Sequence, residues 1–176
     1  MLNDGTRIPV DVIVCATGFS IADMTGGLKI RGRDGRDLKE EWGDDDPRAY
    51  RGVTVPGYPN FFLTVGPNSA PNHAGGQNIT SETQIHYILE CLEAITARDV
   101  AALEPTEEAT CAYNEQIDEA LKGLIWSHPG TNSYYKNSRG RVFLSCPYRL
   151  VDYWGMMREP DLADYRLYPK SSQAVA

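Results

Sequence analysis

The chain has 176 residues, 41% of them hydrophobic and 23% charged, enough for one domain with its own core and too apolar for a disordered segment. Seventeen basic against 24 acidic groups give a net charge of −7, with no basic stripe to grip nucleic acid or an anionic membrane surface. No apolar run nears the ~20 residues a bilayer span needs, and no basic-then-apolar leader opens the chain. The four cysteines, Cys15, Cys91, Cys111 and Cys146, form no Cys-x-x-Cys, and the expectation is buried free thiols in a reducing cytoplasm. His73, His86 and His128 share no ligand spacing with one another or with a cysteine, so no metal site is expected.

Asn3-Asp4-Gly5 is a hairpin-type turn, and the run Val12 to Ala16 after it is apolar and β-prone. A strand is therefore expected to end at Cys15, with only Met1 and Leu2 left of a partner. The orphan hairpin suggests a chain that begins inside a larger domain and exposes an apolar edge, which favours self-association. Arg33-Asp34-Gly35 separates "LKIRG" from "RDLKEEW" and predicts a short exposed hairpin. "GDDDP", Gly43 to Pro47, reads as a solvated acidic loop, because no Glu or Asn follows at calcium-loop spacing. Phe61 to Val65 is a continuous apolar run expected to be a strand covered on both faces. A Gly/Pro/Asn-rich loop follows up to Asn78, the kind of segment that carries function.

Ser81 and Gln84 form a capping-box pattern ahead of Ile85, Ile88, Leu89, Leu92 and Ile95 at helical spacing. This predicts a helix from Ser81 to Ala97. A second helix is expected from Thr106 to Trp126, its buried face Tyr113, Ile117, Ala120, Leu121 and Leu124. A turn-rich stretch then leads to a strand over Arg141 to Cys146 and an aromatic-rich tail.

In this context "DVIVCATGF" resembles the element that carries the chain from the NADPH domain back to the FAD domain in flavin-containing and Baeyer–Villiger monooxygenases. "VPGYPNFFLTVGPNS", "QNITSETQIHYILECLEAI" and "TNSYYKNSRGRVFLSCP" are similar to the family's following elements, in the same order, and cover most of the chain. The resemblance implies an α/β fold, the C-terminal part of a two-dinucleotide-domain flavoprotein with an incomplete Rossmann-like FAD domain. Its stretches would be a strand and Ala-Thr-Gly linker over 1–19, a hairpin and loops over 20–60, and a strand, two helices and a closing segment over 61–176. No two glycines stand two positions apart, so neither Gly-x-Gly-x-x-Gly fingerprint of the family is present. Both, with the signature between them and the arginine that serves oxygen transfer in Baeyer–Villiger members, lie N-terminal to Val10 in that family.

The resemblance further implies FAD and NADP as cofactors, with weak or absent binding by this chain alone. It implies O2 and a small organic substrate, a ketone in the Baeyer–Villiger branch or else a sulfide or amine, and a flavoprotein N-terminal part as partner. Thr17, Gly18, Gly66, Asn78 and Ile79 would border the cofactors, Thr17-Gly18 because small residues let the backbone approach closely. His73, Tyr153 and Trp154 would line the substrate pocket, although the residues by themselves favour solvent exposure for His73 and read at least as well as packing for the other two. A non-catalytic remnant, or an interaction module that works only with a separate N-terminal chain, is the alternative.

Overall fold

The computed structural model describes residues 3–18, 21–71, 76–131 and 133–170. Its main body is built around α2 (Gly76–Ala97) and α3 (Glu107–Lys122). α2 buries Thr80, Thr83, Gln84, Tyr87 and Cys91, one face at three- and four-residue spacing. Asp99, at φ 52°, turns the chain out of α2 into β2 (Val100–Pro105). Thr106 then caps α3: its hydroxyl accepts the Ala109 N–H, and Glu107 and Glu108 complement the positive helix end. α3 buries Tyr113, Ile117 and Leu121. β2 pairs antiparallel with β4 (Tyr165–Pro169), Leu103 opposite Leu167. β1 (Ala70–Pro71) runs parallel to β3 (Ser145–Cys146). The helix α4 (Leu150–Met156) adds Tyr153 to the same core, which also holds Val53, Val142 and Met157.

A smaller core lies over residues 24–63. Asp37 caps α1 (Leu38–Trp42) through the N–H groups of Lys39 and Glu40, and Leu38 and Trp42 pack with Ala49, Val55 and Tyr58. Arg33 ties this unit to the main sheet through buried Glu104, at 3.2 Å.

Several expectations are corrected. Residues 6–17 form no strand, and Val12, Ile13 and Val14 are 75–83% exposed, because no described segment pairs with them. "RDLKEEW" is not the arm of an exposed hairpin: a single bridge joins Arg31 to Asp37, after which the chain enters α1 with Leu38 fully buried. Phe61 to Val65 is a half-buried irregular segment with one bridge, Thr54 to Phe62. Only Ser145 and Cys146 of the expected C-terminal strand lie in a sheet. The acidic loop is not simply solvated, since Asp46 pairs with Arg48, Arg139 and Arg141. Of the cysteines, Cys91 and Cys146 are buried, while Cys15 and Cys111 are exposed. The ends of α3 agree with expectation to a few residues, but Ala120 and Leu124 face solvent.

Candidate functional site

The segment that leads into α2 is held by an unusual amount of side-chain to backbone bonding. Val65 sits at φ 57°, and its N–H donates to Gln84 Oε1 at 2.6 Å. The Ser69 hydroxyl donates to the Gly66 carbonyl at 2.6 Å. Asn68, at φ 54° and 2% exposed, donates through Nδ2 to the carbonyls of Val142 and Ser145, and its Oδ1 accepts from Arg141 Nη2 at 2.7 Å. Arg141 in turn reaches Asp118 on α3 and Asp46. This frame fixes β1 and the approach to α2 from four directions.

α2 begins at Gly76 rather than after Asn78, so Asn78 and Ile79 are first-turn helical residues, both exposed. The Ser81–Gln84 pair is therefore inside the helix and caps nothing. Gln84 is fully buried and serves instead as a strut, accepting from Val65 N–H and donating Nε2 to the Tyr153 hydroxyl at 3.0 Å. The first turn of a helix carries N–H groups without intrahelical partners and the positive end of its dipole, which in general suit an electron-rich or anionic group.

Thr17 and Gly18 are also exposed, and Gly18 has φ 76° with no atom within 4 Å of where a side chain would begin. Thr17, Gly18, Asn78 and Ile79 are all exposed in the described structure. Gly66 has a different reason to be glycine: it is buried, and a methyl there would collide with the Gly52 carbonyl. Its place is in the packing of two chain segments, not at an open face.

His73 lies outside the described residues. Tyr153 is 2% exposed, and its hydroxyl donates to the Arg51 carbonyl at 2.9 Å while accepting from Gln84, so packing occupies it. Trp154 is 44% exposed and stacks on His86, ring centroids 5.8 Å apart. Burial pushes the Cys91 thiol up to about 12 and the Cys146 thiol up to about 11, and it also raises Tyr87, Tyr153 and Tyr165. These groups stay protonated at neutral pH and hold structure. Among the described residues no group of three or more potential ligands could hold a metal ion, and no helix is long and apolar enough to cross a membrane.

Sequence reasoning missed Asn68, Gln84 and Arg141. The signal for Asn68 is the pair Pro67-Asn68, since asparagine is among the few residues that tolerate positive φ. Gln84 and Arg141 act through partners at least 19 residues away, which no local pattern reveals.

No family profile matches the chain. It is similar to an uncharacterised monooxygenase of Sinorhizobium fredii, 38% identical over 160 residues that make up 91% of this chain and 24% of the relative. It is 32% identical over 175 residues to a Baeyer–Villiger monooxygenase of Streptomyces coelicolor, covering 98% of this chain and 33% of that protein. Among solved structures it superposes on a closed form of cyclohexanone monooxygenase with a TM-score of 0.76 and 27% identity, over 96% of this chain and 32% of that one. The chain thus spans about a quarter to a third of the proteins it matches.

Proposed function

As the chain corresponds to the C-terminal part of Baeyer–Villiger-type flavin monooxygenases, whose family cofactors are FAD and NADP, we propose that it forms the C-terminal portion of an NADPH- and O2-dependent enzyme. That enzyme would insert one oxygen atom into a small ketone. The observation that carries this reading is the match to the Baeyer–Villiger relative over 98% of the chain. The geometry supports it: a rigid frame of Asn68, Gln84 and Arg141 ends at the exposed first turn of α2.

In this reading FAD, when bound, supplies the redox chemistry, as cofactors do in general. Thr17 and Gly18 let it approach the backbone closely. Asn78 and Ile79 offer N–H groups to the edge of its ring that gains negative charge on reduction. The chain alone holds no pyrophosphate-binding glycine turn, so the dinucleotides need a further region of the flavoprotein, in the same polypeptide or in another. The four free cysteines agree with a reducing cytoplasm. A module that serves only a separate flavoprotein chain is the second reading, favoured by the exposed apolar residues Ile85, Leu89 and Leu92 of α2.

The test is a chimera in which this chain replaces the matching third of the Streptomyces coelicolor relative. The expected result is a yellow protein that consumes NADPH and O2 and converts cyclohexanone to its lactone. A chimera that folds and binds FAD, yet transfers oxygen to neither cyclohexanone nor a thioether, overturns the proposal.

A further inference from the structure

Val65 stands at φ 57°, a region that β-branched residues avoid because Cβ crowds the backbone. Such a conformation persists only where its surroundings enforce it. Here they do so from two sides. Gly66 packs beneath the Gly52 carbonyl, with no room for a methyl between them, so the turn cannot shift toward Gly52. From the other side the fully buried Gln84 accepts the Val65 N–H on Oε1 at 2.6 Å. The neighbouring chain segment is strained as well, with Arg51 at φ 52°, and Tyr153 donates to the Arg51 carbonyl at 2.9 Å.

One path of hydrogen bonds thus joins the two strained residues, and its direction is fixed. A backbone N–H only donates, so Gln84 must turn its carbonyl oxygen to Val65 and its amide nitrogen to the Tyr153 oxygen, at 3.0 Å. The Tyr153 proton is then left for the Arg51 carbonyl. Burial leaves no water to stand in for a lost partner. Further along, the Asn68 and Ala70 N–H groups donate to the Phe143 and Leu144 carbonyls at 2.8 and 3.1 Å, so β1 follows wherever Val65 sets the turn.

We propose that Gln84 is a positioning residue: acting through Val65, it holds the turn over 65–69 in the one conformation that brings β1 and the start of α2 into place. The consequence for chemistry rests on the oxygen-transfer reading, which puts the edge of the cofactor at the first turn of α2. With the turn loosened, NADPH is still oxidised, but more of the O2 leaves as hydrogen peroxide (NADPH + H⁺ + O2 → NADP⁺ + H2O2) and less of it enters the ketone.

The experiment reads hydrogen exchange at the Asn68 and Ala70 amides of the whole chain, relative to the Ile117 amide in α3, which follows global stability. Gln84→Met nearly keeps the side-chain volume but makes neither bond. Adding Val65→Gly gives the turn a residue that accepts positive φ unaided. Cys91→Ala, further along α2 with its thiol beside Tyr165, removes core volume and is the control. Relative exchange should quicken about tenfold in Gln84→Met, the loss of one buried bond, return to the wild-type rate with Val65→Gly, and stay there in Cys91→Ala. If Gln84→Met does not fold, Tyr153→Phe, which frees the far end of Gln84, is read in its place and should act in the same direction. In the chimera, Gln84→Met should lower the lactone formed per NADPH consumed about tenfold, hydrogen peroxide making up the difference, and Val65→Gly should restore it. Unchanged relative exchange, an equal rise in Cys91→Ala, no recovery with Val65→Gly, or an active chimera whose lactone yield ignores Gln84→Met overturns the proposal. A parent chimera that transfers no oxygen defeats the reading beneath it, while the exchange rates still decide whether Gln84 holds the turn.

Discussion

Burial fixes the chemistry of the individual thiols. Cys91 and Cys146 are buried and held protonated, whereas Cys15 and Cys111 face solvent. A thiol reagent should therefore titrate two groups in the native chain and four after unfolding. The same burial sets an alkaline limit. In the unfolded chain a cysteine loses its proton near pH ~8.5, while in the fold Cys91 holds it to about 12 and Cys146 to about 11. Above pH ~8.5 the unfolded state thus binds fewer protons, and stability falls with rising pH by up to ~1.4 kcal/mol per unit for each group. Urea unfolding at pH 7 and pH 10 checks this, and equal stability at both would refute it. Two glycines give a second contrast. Gly66→Ala forces a methyl into the Gly52 carbonyl and should cost several kcal/mol, of the order of ~3. Gly155→Ala, inside α4 with open space around it, should stabilise by about 0.5–1 kcal/mol.

At the scale of elements, α2 shows which faces a sequence can and cannot assign. Periodicity places a helix there and another at α3, because 3.6-residue repetition of apolar groups is a local property. It also points to Ile85, Ile88, Leu89, Leu92 and Ile95 as the apolar stripe; Ile88 and Ile95 do pack against the core, yet Ile85, Leu89 and Leu92 are 49%, 52% and 43% exposed, and the fully buried face is Thr83, Gln84, Tyr87 and Cys91. The polar members of that face are satisfied by partners distant in sequence, Gln84 by Val65 and Tyr153, which the pattern of α2 alone does not contain. The same limit explains β2 and β4: "VAALEP" has weak strand propensity, and its partner begins 60 residues beyond its end. The run at Val12 fails in the opposite sense, being β-prone without a described partner. Resemblance alone names Thr17, Gly18, Asn78 and Ile79 as candidates, while the struts Asn68, Gln84 and Arg141 are not legible in the sequence because their partners are distant along the chain. In this chain Tyr87→Ala should cost ~3–5 kcal/mol, whereas Leu89→Ser should change stability by less than ~0.5 kcal/mol. Denaturant midpoints decide the matter, and a large loss from Leu89→Ser would place that face in the core after all.

The molecule as a whole leaves two apolar surfaces uncovered. One is the extended segment with Val10, Val12, Ile13 and Val14, 57–83% exposed, and the other is the α2 stripe of Ile85, Leu89 and Leu92. A scattered exposed aliphatic residue is ordinary, but three on one helical face and four along one extended segment are contiguous. Contiguous apolar patches above a few hundred Å² mark interaction surfaces or aggregation-prone ones. The extended segment adds backbone N–H and carbonyl groups that pair with no strand among the described residues, and such groups seek a strand from another chain. Net charge of −7 slows association but acts over about a Debye length of ~10 Å, and salt weakens it further. The chain is therefore expected to self-associate at tens of micromolar, and more so as salt rises. Changing Ile85, Leu89 and Leu92 together to Glu should shift it toward monomer without lowering its melting temperature, since none of the three supports the core. Val12→Lys with Val14→Lys should act in the same direction through the extended segment. Light scattering at two salt concentrations measures both effects. A chain that stays monomeric at high salt, with no dye-binding apolar surface, would mean these faces are too dispersed to drive association.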